Sequence, residues 1–81
     1  MATVKTVLER KGTHVETIGP EATALDAAHR MNNARIGSLV VLDGGSVVGI
    51  VTERDILTRI VAEERDPART LVREIMSSDL A

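Results

Sequence analysis

Two apolar runs, Leu39-Val40-Val41-Leu42 and Val47-Val48-Gly49-Ile50-Val51, flank the tetrapeptide Asp43-Gly44-Gly45-Ser46. No other part of the chain constrains the fold as tightly. Adjacent glycines supply the positive φ that a tight hairpin turn demands. The runs therefore read as antiparallel strands over residues 38–42 and 47–52. Neighbouring strand residues point to opposite faces, so runs that are apolar at nearly every position make a sheet apolar on both sides. Helices returning from the strands can cover one face. The other calls for a second copy, another domain, or the terminal segments folded over it, because a contiguous apolar face marks an interface.

The flanking segments supply the helices. Residues 14–18 alternate and contain β-branched Thr17 and Ile18, which predicts a short strand, and Gly19-Pro20 ends it. Thr23 suits a helix N-cap, and Asp26 three residues on suits the positive helix end. Leu25, Ala28 and Met31 then recur at helical spacing, with Ala24 and Ala27 beside them. Asn32-Asn33 favours a stop. A second helix is expected from Thr52 to about Glu64, with Ile56, Leu57, Ile60 and Val61 as its apolar stripe. Arg65-Asp66-Pro67 interrupts that pattern. The order is β-α-β-β-α. This is an α+β unit, expected as a three-stranded mixed sheet with two helices on one face and the other face used for pairing. Residues 4–10 read as a short helix or turn, stopped at Gly12. Val4-Lys5-Thr6-Val7-Leu8 is echoed by Val72-Arg73-Glu74-Ile75-Met76, so one whole unit fits between the copies. Residues 1–66 are accordingly expected as one domain, and 67–81 as a linker and the start of a second repeat.

Composition narrows the function classes. An 81-residue chain that is 43% hydrophobic and 27% charged is an ordinary globular composition with room for one modest core. A net charge of −2 with interspersed signs gives no basic surface for nucleic acid or an anionic membrane. No run approaches the ~18 apolar residues of a membrane span. The N-terminus lacks an apolar signal core. The absence of cysteine removes thiolate chemistry and Cys-ligated zinc, and fits a reducing, cytoplasmic setting. With no aromatic residue, a bound base would be gripped by aliphatic side chains and backbone.

One passage could carry chemistry. In Gly49-Ile50-Val51-Thr52-Glu53-Arg54-Asp55 a strand runs into a helix start, whose unpaired N–H groups and partial positive charge suit a phosphate. Asp55 could accept hydrogen bonds from vicinal ribose hydroxyls. The competing reading is purely structural, with Thr52 and Asp55 as N-cap and third-position acid. Arg54 is a cation that a cap alone does not explain. His14 and His29 lie on different elements without a ligand set around them, so no metal site is expected. Ser38, Ser46, Ser77 and Ser78 lack the surroundings of an activated nucleophile, and no enzyme is expected.

The same passage resembles the Gly-apolar-x-Thr/Ser-x-x-Asp signature of CBS domains. Arg35-Ile36-Gly37-Ser38-Leu39-Val40-Val41 resembles that family's approach to its second strand. Gly19-Pro20-Glu21-Ala22-Thr23 and Ala24-Leu25-Asp26-Ala27-Ala28 resemble its first turn and helix. The resemblance covers roughly residues 4–61 and implies a regulatory module, working in pairs, that holds an adenine nucleotide or adenosyl compound (AMP, ADP, ATP or a relative) in a cleft between units. On matching positions it implies Asp55 at the ribose hydroxyls, Thr52 at ribose or phosphate, Arg54 at the phosphates, Thr13 and Val15 as first-strand contacts, and Ile36, Gly37 and Ser38 flanking the base. It implies no intrinsic cofactor. CBS units usually occur in tandem and only one is complete here, so a homodimer or a longer chain is expected to complete the pair. A purely structural dimerisation module is the alternative.

Overall fold

The hairpin organises the molecule. A computed structural model describes residues 16–78. The strands are β1 (Thr17–Ile18), β2 (Ser38–Asp43) and β3 (Ser46–Thr52). They form a mixed sheet in the order β1-β2-β3, with β1 parallel and β3 antiparallel to β2. Gly44 and Gly45 turn the hairpin at φ 59° and 86°, as the tetrapeptide requires. The register pairs Leu39 with Val51 and Val40 with Ile50, and then shifts between Val41 and Leu42. The expected strand over residues 14–18 is described only at Thr17 and Ile18. His14 and Val15 lie outside the described residues.

Helix α1 (Ala24–Ala34) starts where Thr23 predicts. The Thr23 hydroxyl accepts from Asp26 N–H at 3.1 Å, and the Asp26 carboxylate accepts from Thr23 N–H at 3.2 Å. Its buried residues are Ala24, Ala27 and Met31, whereas Leu25 is 38% exposed. The buried stripe thus lies one residue round the helix from the expected Leu25-Ala28-Met31 face. Two alanines on the inner face let the helix approach the sheet closely. The expected stop at Asn32-Asn33 falls two residues later, at Arg35, which takes the left-handed conformation at φ 56°. Arg35 N–H bonds to Asn32 O at 3.3 Å and Ile36 N–H to Met31 O at 3.0 Å. That pair of bonds is a Schellman stop, made without its usual glycine.

The second helix departs further from expectation. α2 (Glu53–Ile56) runs on as a π-helical turn over Leu57–Val61, closed by Ala62 N–H to Leu57 O at 2.9 Å. Glu64 at φ 55° ends it in a second Schellman pattern, with Glu64 N–H on Val61 O and Arg65 N–H on Ile60 O. The wider π turn breaks the 3.6-residue repeat on which the apolar stripe was drawn. Ile60 is buried and Ile56 half-buried, but Leu57 and Val61 are 63% and 64% exposed.

The core joins Ile18, Ala24, Ala27, Met31, Leu39, Val41, Val51 and Ile60 to Val72 and Ile75. The last two belong to α3 (Val72–Ile75), so residues 67–77 form a strap across this same core. The strap is tied down by backbone. Leu25 N–H donates to Pro67 O at 3.0 Å and Ala24 N–H to Thr70 O at 2.7 Å. In return Val72 N–H donates to Ala22 O at 2.8 Å and Arg73 N–H to Pro20 O at 3.0 Å. Each helix start thereby satisfies the other's orphan donors. Beyond α3, Ser77 exchanges both backbone bonds with Ile50 on the free edge of β3, at 2.9 and 2.8 Å. Val40, Leu42 and Ile50 alternate with the core residues and point away from the helices, half-buried.

Candidate functional site

The strand register brings the two candidate segments to one end of the sheet. Ser38 pairs with Thr52 across β2 and β3. Just beyond that pair, Glu53 N–H donates to Gly37 O at 2.9 Å, which fastens the start of α2 to the start of β2. The Schellman stop of α1 delivers Ile36 into the same corner. Ile36, Gly37, Ser38, Thr52 and Asp55 are therefore neighbours in space, although 14 or more residues separate the two groups in sequence. Thr13 and Val15 lie outside the described residues.

Thr52 is extended, at φ −122° and ψ 164°, and makes a full capping box. Its hydroxyl accepts from Asp55 N–H at 3.1 Å, and Asp55 Oδ2 accepts from Thr52 N–H at 2.9 Å. Asp55 is buried, its side chain only 10% exposed, and Oδ1 faces Arg59 Nε at 3.6 Å. The cap expected on structural grounds is thus formed, and Oδ1 is the carboxylate oxygen left for further work. Arg54 is exposed and lines a depression with Glu53, Leu57 and Thr58, to which Gly37 does not contribute.

Beside the corner lies an open groove of about 500 Å³. Met31, Ile36, Ile56 and Leu57 supply its apolar wall, and Asn32, Arg35 and Glu53 its polar rim. Gly37 belongs to the lining, and a Cβ there would sit 3.3 Å from the Glu53 carboxyl carbon. An aliphatic wall with a polar rim is the kind of grip expected of a chain without aromatic residues. A separate polar depression, lined by Asp26, His29, Arg30 and Asn33 among others, lies along α1. Among the described residues no group of three His, Cys, Asp or Glu side chains is placed to hold a metal. None of their helices is long and apolar enough to cross a membrane.

Sequence reasoning missed Glu53 and Arg59. Glu53 reaches the corner through its N–H, which any residue would supply, and its carboxylate lies on the groove rim. Arg59 had a readable signal, its i+4 spacing from Asp55.

Mixed sheet, helices and a capped strand-to-helix corner beside a groove define a small α+β module. A family model for the CBS domain matches residues 4–62, and the chain belongs to the CBS domain family. Proteins of this family are generally regulatory modules. The CBS domain-containing protein YhcV of Bacillus subtilis is 36% identical over 77 residues, which covers 95% of this chain and 54% of that protein. The CBS domain-containing protein CBSCBSPB3 of Arabidopsis thaliana is 36% identical over 63 residues, covering 78% of this chain and 11% of that one. The chain thus spans about half or less of these relatives. A CBS-domain containing protein from Agrobacterium tumefaciens superposes with a TM-score of 0.82 at 33% identity, covering 99% of this chain and 64% of that one. A hexameric CBS-CP12 protein from bloom-forming cyanobacteria matches at a TM-score of 0.75 and 34% identity, over 84% of this chain and 40% of that one.

Proposed function

We propose that this chain is a regulatory, non-catalytic module that senses an adenine nucleotide or adenosyl compound in a cleft between paired CBS units. One observation carries the reading. The buried Asp55 keeps Oδ1 outside its capping bonds, and Thr52, its partner in those bonds, stands opposite Ser38 next to Gly37 and Ile36. In this reading Oδ1 receives the ribose hydroxyls, Thr52 meets ribose or phosphate, and Arg54 reaches the phosphates. Ile36, Gly37 and Ser38 flank the base, with Thr13 and Val15 on the approach. The ligand is AMP, ADP, ATP or a related adenosyl compound, and no intrinsic cofactor is needed. The pair forms by self-association in the cytoplasm through the sheet face of Val40, Leu42 and Ile50, or with the second repeat of which residues 67–81 are the start. A hexameric CBS relative supports self-association.

A second reading has its own support. The Thr52–Asp55 box is complete as a cap, which is what a purely structural dimerisation module would need from these residues. Thermal shift against AMP, ADP, ATP, NAD and S-adenosylmethionine separates the two. A ligand at 100 times its Kd adds about 2.7 kcal/mol of apparent stability. The sensing reading expects a rise in midpoint with at least one of them, reduced in Asp55→Ala and Thr52→Ala relative to each variant's own ligand-free midpoint. A dimer by sedimentation with no shift at millimolar ligand establishes the structural reading instead.

A further inference from the structure

Arg54 is the cation that the signature passage offers to a phosphate, but it is not the cation coupled to Asp55. Its side chain is exposed and lines the depression of Leu57 and Thr58. Arg59 stands one helical turn beyond Asp55 on the same face, with Nε 3.6 Å from Oδ1. We propose that Arg59 makes the site discriminate a phosphorylated nucleoside from a bare one. It holds Oδ1 until a ribose diol takes that oxygen, and then turns to the ligand's phosphate. The proposal rests on the nucleotide reading above and assigns a residue which that reading does not include.

Three features support the exchange. The first is the division of labour between the two carboxylate oxygens. Asp55 Oδ2 is held by Thr52 N–H at 2.9 Å while Oδ1 lies outside the capping bonds, so a diol that takes both hydrogen bonds of this carboxylate edge engages Oδ1 and meets Arg59. The second is a loose latch. At 3.6 Å the Arg59–Asp55 contact is longer than a hydrogen bond, and a half-exposed guanidinium on a long stem re-aims at little cost. The third is asymmetric desolvation. The Asp55 side chain is 10% exposed and Arg59 50%, so the carboxylate is fixed while the cation is free to swing.

The exchange sets the sign of selectivity. A nucleoside without phosphate displaces Arg59 from Oδ1 and gives it nothing in return. A nucleotide displaces it and supplies a phosphate, with which a guanidinium makes short, charge-assisted, bidentate bonds. Removing the charge at Arg59 therefore weakens nucleotide binding and leaves nucleoside binding equal or tighter. A charge-assisted hydrogen bond corresponds to roughly 10- to 100-fold in affinity.

Isothermal titration of the whole chain with AMP and with adenosine tests this, comparing wild type, Arg59→Gln, Arg54→Gln and Asp55→Ala at one ionic strength. In Arg59→Gln, AMP is expected to weaken by about 10-fold or more while adenosine stays within about 3-fold or tightens. Arg54→Gln, which removes a phosphate contact that is not coupled to Asp55, is expected to lower the AMP-to-adenosine ratio less than Arg59→Gln does. Arg59→Lys, which keeps the charge, is expected to restore part of the preference. Equal effects of Arg59→Gln on both ligands, or a loss of AMP in Arg54→Gln at least as selective as that in Arg59→Gln, overturn the role of Arg59 alone. Binding that Asp55→Ala does not weaken overturns the site assignment beneath it. A wild-type chain that binds neither ligand overturns the role of Arg59, and one that also shows no thermal shift with ADP, ATP, NAD or S-adenosylmethionine overturns the nucleotide reading as well.

Discussion

Gly49 lies where the strap crosses β3, and adding one methyl group there tests how the strap is held. An alanine Cβ at this position would stand 2.8 Å from Ser77 O and 2.9 Å from Met76 Sδ. The first contact is with backbone, so no side-chain rotation relieves it. Gly49 is not at positive φ, so the penalty is steric rather than conformational. Overpacking of this kind costs about 1–3 kcal/mol. If the strap moves away, the two Ser77–Ile50 backbone bonds go with it, at about 1 kcal/mol each. Restriction of the unfolded chain returns about 0.5–1 kcal/mol. The net loss for Gly49→Ala is about 2–4 kcal/mol, or a fall in midpoint of roughly 10–25 °C for a domain of this size. Thermal denaturation followed by circular dichroism measures it, and amide exchange at Ile50 and Ser77 locates it. A fall below about 3 °C with both amides still protected would show that the strap is not held as described. Gly37→Ala is the matched control. The three atoms nearest its Cβ all belong to the Glu53 carboxylate, at 3.3–3.6 Å, which can swing aside, and the expected change is below about 1 kcal/mol.

Thr52→Ala removes a half-buried cap and is expected to destabilise by about 1–2 kcal/mol in urea titration, with the more exposed cap of Thr23→Ala at the lower end of that range. Arg35→Gly and Glu64→Gly each relieve a left-handed residue that carries a Cβ, and each should raise stability by up to about 1 kcal/mol in the same titration. Glu74 has its pKa held below the ordinary 4.5, first by the hydrogen bond it accepts from Leu71 N–H and then by Arg65. Because the folded value is the depressed one, its stabilising contribution is present above about pH 4.5 and is lost as pH falls through the folded value. An NMR titration should place the Glu74 midpoint below that of an unstructured glutamate, and Glu74→Gln should flatten the acid limb of the stability curve.

Much of the hairpin and both helix starts could be read from residue type. Gly44-Gly45 has few alternatives once two apolar runs flank it, and Thr followed three residues later by Asp marks both capping boxes. The helix ends were harder to read. Glycine is the usual signal for a left-handed stop, and among the described residues the two left-handed helix stops fall on Arg35 and Glu64. The π turn also leaves no mark in residue type, so the helical pattern predicts for Leu57 and Val61 a core they do not enter. The burial of Val72 and Ile75 depends on bonds from Ala24, Leu25, Val72 and Arg73 N–H groups, which carry no residue identity. The candidate site divides in the same way. The hairpin register alone puts Ser38 opposite Thr52, whereas the choice of Arg59 over Arg54 as the partner of Asp55 needed the helix face to be seen.

The bond pair between Ser77 and Ile50 has a mechanical consequence. Ile50 lies two residues before Thr52, along a strand that is stiff in tension. Tension applied to the polypeptide at Ser78 meets this clasp before it meets any other part of the sheet. Because the strap also grips the first turn of α1 at Ala24 and Leu25, such a load divides between a strand that leads to Asp55 and a helix that ends beside Ile36. Both arms of that lever end at the same corner of the molecule.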